Sequence, residues 1–246
     1  MNPPAPRSLL LPATILALGL ALGAVVLSGP LSDFVKAHHT ITVKGYAERH
    51  IDSDFALWSA TLTTRAKQVN QAADQMDKDT QTVTDFLVAQ GVPKENITIS
   101  DLTTTALSKS TEGVDGGLDQ LDGYKLERNI EVTSKDIDSI SKLAGASPAL
   151  LHSGVEISFN AIEYYCTKLA DLKVTMLGDA VQDAQRRAEE IAAKSGRKVG
   201  VLRSANQGVF QITSVYETET SSEGALDTKS REKSMKAVVT AEFELL

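Results

Sequence analysis

Cys166 is the single cysteine of the chain and its strongest intrinsic nucleophile. It follows Tyr164 and Tyr165 near the start of a long helical pattern. A helix N-terminus favours the thiolate, and with His152 upstream the two side chains would supply a redox or nucleophilic pair. The same Tyr-Tyr-Cys string also suits helix-entry packing, in which an isolated cysteine behaves as a small buried hydrophobe. His38 and His39, with His50 further on, are the residues that would bind a metal. Neighbours in an extended segment point opposite ways, so one site does not use both members of the pair, and a solvated tether is the plainer reading. Trp58, the one tryptophan, lies on an apolar strand face and suits a core more than a ligand platform. From Asp183 to Glu190 charges alternate as on a solvated helix face carrying salt bridges, with partner docking as the other use. The chain has no Gly-x-Ser-x-Gly elbow, no phosphate-cradling loop, no His-Glu-x-x-His and no Cys-x-x-Cys. No catalytic, cofactor-binding or metal-ligating residue is therefore assigned, and no cofactor is expected.

The elements that hold these residues alternate in period. Residues 55–64 place Ala56, Trp58, Ala60 and Leu62 on one side of a strand. From Lys67 to Gln90 the period lengthens, and Val69, Ala72, Ala73, Met76, Thr80, Val83 and Leu87 mark one helix face, stopped by Gly91 and Pro93. A strand from Ile97 to about Leu107 precedes a Gly- and Asp-rich loop, 108–123. The return strand sets Tyr124, Leu126, Ile130 and Val132 on one side, with Arg128 the exception among them. After a helical connector around 136–144 the order recurs. Val155, Ile157, Phe159 and Ala161 alternate in a strand, and a helix from about Glu163 to Lys194 packs through Leu169, Leu172, Met176, Ala180, Ala184, Ala188 and Ile191. A strand from Lys198, interrupted near Gly208, leads to an acidic loop, 217–230, and a last strand with Ala237, Val239, Ala241, Phe243 and Leu245 in phase. This predicts an α+β domain built of duplicated β-α-β-β units, about 40–134 and 150–246. Its antiparallel sheets are covered on one side by long helices.

Before that domain, Ser8 to Ser28 is uncharged over about 21 residues, enough to cross roughly 30 Å of hydrocarbon. Arg7 precedes the run and Asp33 follows it ahead of Lys36, so the N-terminus is expected in the cytoplasm. The apolar core exceeds the roughly 7–15 residues of a signal peptide, and Val26-Leu27-Ser28 before Gly29 makes a poor cleavage site. Residues 1–30 are therefore read as a retained transmembrane anchor and 31–39 as a tether. The domain at 40–246 then lies in the periplasm on a single-pass inner-membrane protein. Signal cleavage, releasing the domain to the periplasm, is the alternative. Beyond residue 30 the chain has 24 basic and 32 acidic side chains, a net −8 that repels phosphate backbones, so nucleic acid is not an expected partner.

Several strings in this order resemble the SIMPL domain family. They are Ile41-Thr42-Val43-Lys44-Gly45, Gly91-Val92 followed by Ile97-Thr98-Ile99-Ser100, Gly123-Tyr124, Asp179-Ala180 through Ala188-Glu189, and Phe243-Glu244-Leu245. The resemblance covers nearly all of residues 40–246. It implies an extracytoplasmic protein with a two-part α+β fold, no established enzymatic activity and ring-like or channel-like oligomers in some members. It also implies a loose association with tolerance of oxidative stress, and it offers no catalytic residue to carry over. Commoner members follow a cleavable signal, whereas this leader resembles an anchor. The function expected is that of a non-enzymatic, membrane-anchored envelope protein that self-associates as a homo-oligomer or holds envelope protein partners. A thiol redox protein using Cys166 is one alternative, and a small-ligand binding or transport accessory protein another.

Overall fold

A computed structural model of the chain describes residues 39–109, 120–217 and 221–246. The anchor reading and His38 lie outside the described residues, as do much of the first acidic loop and part of the second. No helix among the described residues is long and apolar enough to cross a membrane. The fold is α+β, as expected. Its strands are β1 (Thr40–Asp52), β2 (Phe55–Ala66), β3 (Ile97–Ile99), β4 (Thr103–Lys109), β5 (Gln120–Ser134), β6 (Ile157–Phe159), β7 (Glu163–Tyr165), β8 (Val199–Gln207), β9 (Gln211–Ser214), β10 (Ala225–Leu226) and β11 (Glu232–Leu245). Among the described residues the α-helices are α1 (Val69–Ala89), α2 (Ile137–Ala146) and α3 (Leu169–Lys194). The described residues form two compact units, one with residues 39–47, Val174–Val209 and Ala237–Leu246, the other within Glu48–Lys173 and Phe210–Lys236.

In the larger unit a six-stranded sheet centres on β2 and β5, which pair antiparallel from Ala56 opposite Ser134 to Ala66 opposite Tyr124. Even-numbered residues of β2 face the helices: Ala56, Trp58, Ala60 and Leu62 are fully buried, with Ala72, Met76, Val83 and Leu87 of α1 and Ile140 and Leu143 of α2. Period-two and period-3.6 faces thus meet in one core, as predicted. Asp136 caps α2 by accepting the Ser139 N–H at 3.2 Å. Arg128, out of place in the sequence pattern, does sit on this face opposite Leu62. It reaches along α1, where Nη1 lies 3.3 Å from Thr80 Oγ1 and 3.6 Å from the Asp77 carboxylate. The aliphatic stem covers core while the charge finds partners at the rim.

Two expectations change here. The strand at 155–161 does not alternate through Ala161, which is exposed. Ala60 of β2 pairs with Phe159, yet Ala56, four residues back, pairs with Tyr164, five residues on. That extra residue is a β-bulge, which reverses the side-chain parity and brings Ile162 and Tyr164 to the core. The helix expected from Glu163 begins instead at Leu169, because Glu163–Tyr165 is strand β7 against Phe55–Leu57. The sheets also exchange strands between the sequence halves: β1 neighbours β11, while β6 and β7 join β2. Part of the second acidic loop forms β10, parallel to β9.

In the smaller unit β8 pairs antiparallel with β11, from Val239 opposite Gln207 to Leu245 opposite Val199. The packed stripe of α3 is almost all alanine: Met176, Ala180, Ala184, Ala188 and Ala192 are buried, and Ile191 is 54% exposed. Small residues let the helix backbone descend onto the strand. A Cβ on Gly45 would stand 2.0 Å from the Ala180 carbonyl oxygen and 2.6 Å from the Ala184 nitrogen. Glycine in a strand marks such a close backbone approach.

Candidate functional site

The residues with chemical potential disperse. His152 is exposed in a short 3-10 helix, Ser147–Ser153, and no hydrogen bond among the described residues joins it to Cys166. Cys166, half-buried, lies between β7 and α3 rather than on a helical turn. His39 is exposed with Nδ1 3.0 Å from Arg197 Nη1, and His50 is exposed on β1. Among the described residues no three His, Cys, Asp or Glu side chains are grouped to hold a metal ion. Trp58 is 1% exposed and packs 6.1 Å from the Phe159 ring.

On α3 the charged run divides. Gln185 reaches Glu189 at 2.9 Å along the solvated face. Asp183 turns toward β1, and its carboxylate accepts the Tyr46 N–H at 3.0 Å and Arg186 and Arg187 at 2.6 Å each. The Tyr46 N–H bond, helped by both arginines, outweighs burial and holds the Asp183 carboxyl below its ordinary value of 3.8. A carboxyl whose folded value is depressed gives stability that is present above the unfolded value and lost as pH falls through the folded one. We expect Asp183→Asn to cost about 1–2 kcal/mol at neutral pH. The variant's stability should also fall less steeply than the parent's on acidification below about pH 4, read from urea midpoints across that range.

A different group converges around β11. Lys233 is 2% exposed, although it is a lysine. Its Nζ donates to the Ser230 carbonyl. Burial lowers its ammonium from the usual lysine value, against the opposing charges of Asp227 and Cys166. At Asp227 burial pushes the carboxyl up, but bonds from the Ser230 side chain and from the Lys229 and Ser230 N–H groups prevail and leave it below the ordinary value. Asp227 Oδ1 takes the Lys229 N–H at 2.7 Å, while the buried Oδ2 has no hydrogen-bond partner. Ser53, 6% exposed, donates its N–H to the Arg231 carbonyl at 3.0 Å and leaves its Oγ unpartnered. The Tyr164 N–H reaches the Thr228 carbonyl at 2.7 Å. The Asp54 carboxylate holds Thr167 through its N–H at 2.6 Å and its hydroxyl at 2.7 Å. Beside Asp227 opens a cleft of about 360 Å³ lined by Ile212, Thr213, Leu226 and Thr228.

Chemically, this arrangement offers a buried cation and a carboxylate with spare acceptor capacity. Its plain work is to fold the 227–230 turn: Asp227 gathers the turn's N–H groups and Lys233 its carbonyl. The sequence carried one signal for it. Lys233 is in phase with Met235, Ala237 and Val239, all buried, so extending the last strand's alternation backward would have placed a lysine inside.

Compared with known proteins, residues 41–243 match the family model described as SIMPL, protein of unknown function (DUF541). A relative, the uncharacterized protein YggE of Edwardsiella ictaluri (strain 93-146), is 26% identical over 210 residues, spanning 83% of each chain. The match runs across both units, from the first strand nearly to the end of the last, and the chain therefore belongs to the SIMPL family.

Proposed function

We propose that this SIMPL-family protein is a non-enzymatic envelope protein. It is anchored in the inner membrane by its N-terminal segment, folds in the periplasm and works by binding copies of itself or envelope partners during oxidative or envelope stress. The charge order supports the topology, with Arg7 before the apolar run and Asp33 after it. The observation that carries the binding role is β4, a strand nearly all of whose residues are exposed and which pairs only with β5 among the described residues. Sheet edges with unused N–H and C=O groups are templates for association. Sedimentation of the full chain in detergent tests the reading. A mass above that of one chain, falling on dilution, is expected, and one-chain mass at high micromolar concentration defeats self-association.

Cys166, a free and half-buried thiol between β7 and α3, supports a second reading, a thiol-based redox protein. It requires rapid labelling of the folded thiol near pH 6 and loss of peroxide protection in Cys166→Ser. Labelling only after denaturation defeats it.

A further inference from the structure

Sheet edges in folded proteins are usually blunted, and the edges of this chain differ in whether they are. On β1 the Tyr46 N–H is taken by the Asp183 carboxylate. β8 carries Arg203 and two register irregularities against β11, the marks of a bulged, protected edge. On β7 the Tyr164 N–H is covered by the Thr228 carbonyl. β3 and β6 have three residues each and β10 two. β4 has seven, Thr103–Lys109, with no proline, and no charge before Lys109. Its one register shift against β5, between Leu107 and Ser108, skips Asp122 of β5 and leaves β4 itself regular.

The outward groups of β4 follow from three bonds. The Thr63 N–H donates to the Glu156 carbonyl and the Asn160 N–H to the Ser59 carbonyl, so odd-numbered residues of β2 point their main chain at β6. Antiparallel alternation then turns the even residues of β2, with their partners Ile130, Arg128 and Leu126, toward each other. The odd residues of β5 therefore face the other way, as the Ser100 N–H bond to the Asn129 carbonyl shows. Thr103, Thr105 and Leu107 spend their main-chain groups on Glu127, Lys125 and Gly123. Thr104, Ala106 and Ser108 direct theirs outward.

We infer that β4 is the site of a two-fold contact between copies of this chain, pairing antiparallel with the β4 of a second copy about Thr105. This rests on the self-association reading and gives it a surface and a register. Only even residues can bond outward, and centring on Thr105 sets Thr104 of each copy against Ala106 of the other; a register centred on Ala106 would also employ Ser108, and the end charges select the first. The same register sets Asp101 of each copy opposite Lys109 of the other, one opposite-charge pair at each end. No salt bridge within 4 Å among the described residues uses either side chain, although the charge of Lys109 also acts on Asp122. The segment 101–109, uncharged between Asp101 just before β4 and Lys109 at its end, carries these opposite charges symmetrically about Thr105 and is complementary to itself, as a two-fold interface requires.

The test uses the full chain in detergent. In a Cys166→Ser background, Thr105→Cys places two thiols at a non-hydrogen-bonded pair with Cα atoms about 4.5 Å apart, within disulfide range. Mild oxidation should link copies through Thr105→Cys and not through Lys142→Cys, an exposed control on α2. Ala106→Pro removes an outward N–H and no ladder bond, so the fold should persist while the dissociation constant rises about tenfold or more. Asp101→Lys should weaken association, and Asp101→Lys with Lys109→Asp should restore it. Assembly that survives Ala106→Pro, with no Thr105→Cys linkage, overturns the β4 contact but leaves self-association standing. A parent chain that is monomeric at high micromolar concentration overturns both.

Discussion

Gly45→Val is expected to prevent the smaller unit from folding stably, with a loss of about 3 kcal/mol or more. Gly45 has no positive backbone angle to protect, so the effect is one of space. The first added carbon would meet backbone, 2.0 Å from the Ala180 oxygen and 2.6 Å from the Ala184 nitrogen, and also the Ala184 Cβ at 2.7 Å. A flexible side chain can swing aside, but a helix backbone held by its own hydrogen bonds cannot. Relief requires α3 to lift from β1, which breaks the Tyr46 N–H bond to Asp183 and uncovers the alanine stripe behind it. Gly45→Ala should already lose much of this, and Gly200→Ala, whose Cβ would meet only side-chain carbons at 3.1 Å or beyond, should lose less. Denaturant unfolding followed by far-UV circular dichroism measures all three.

The second large effect is expected at Trp58. It is 1% exposed, pairs across the ladder with Val132 and packs against Phe159. Trp58→Ala should cost about 3–5 kcal/mol, the range for deleting a large aromatic from a packed core. Because the neighbours are strands locked in register, the space cannot close by collapse of a loop. Trp58→Phe keeps most of the volume and should cost clearly less. Thermal unfolding by calorimetry gives both values. A small loss in Trp58→Ala would show that the face read as core is not one.

The faces that legible periodicity placed inside, on β2, α1 and β11, are the faces that pack, because burial imposes period on neighbouring residues; Val69, in the first turn of α1, is the exception and is exposed. What stayed illegible depends on partners distant in the chain. The bulge between Phe159 and Tyr164 shows only when both are registered against β2, so Ala161 read as core and β7 as helix. The pairing of β1 with β11 links the first strand to the last, and no local pattern announces it. Arg128 was legible as an exception but not as a reach along α1 to Asp77 and Thr80. Of the site, Cys166 is visible in the sequence and Lys233 is not, since the apolar residues that mark the last strand's phase start at Ala237, four residues after the lysine. The outward groups of β4 are likewise invisible in the string TTTALSK, since the sequence does not reveal which neighbours its main chain meets.

That this protein acts by contact through an open strand edge is tested most directly by residue-resolved amide hydrogen exchange on the unmodified full chain, over a range of concentrations. Thr103 and Thr105, bonded to β5, should be protected throughout. Thr104 and Ala106 should exchange freely when dilute and become protected as concentration rises. Free exchange at Thr104 and Ala106 at every concentration would contradict the account.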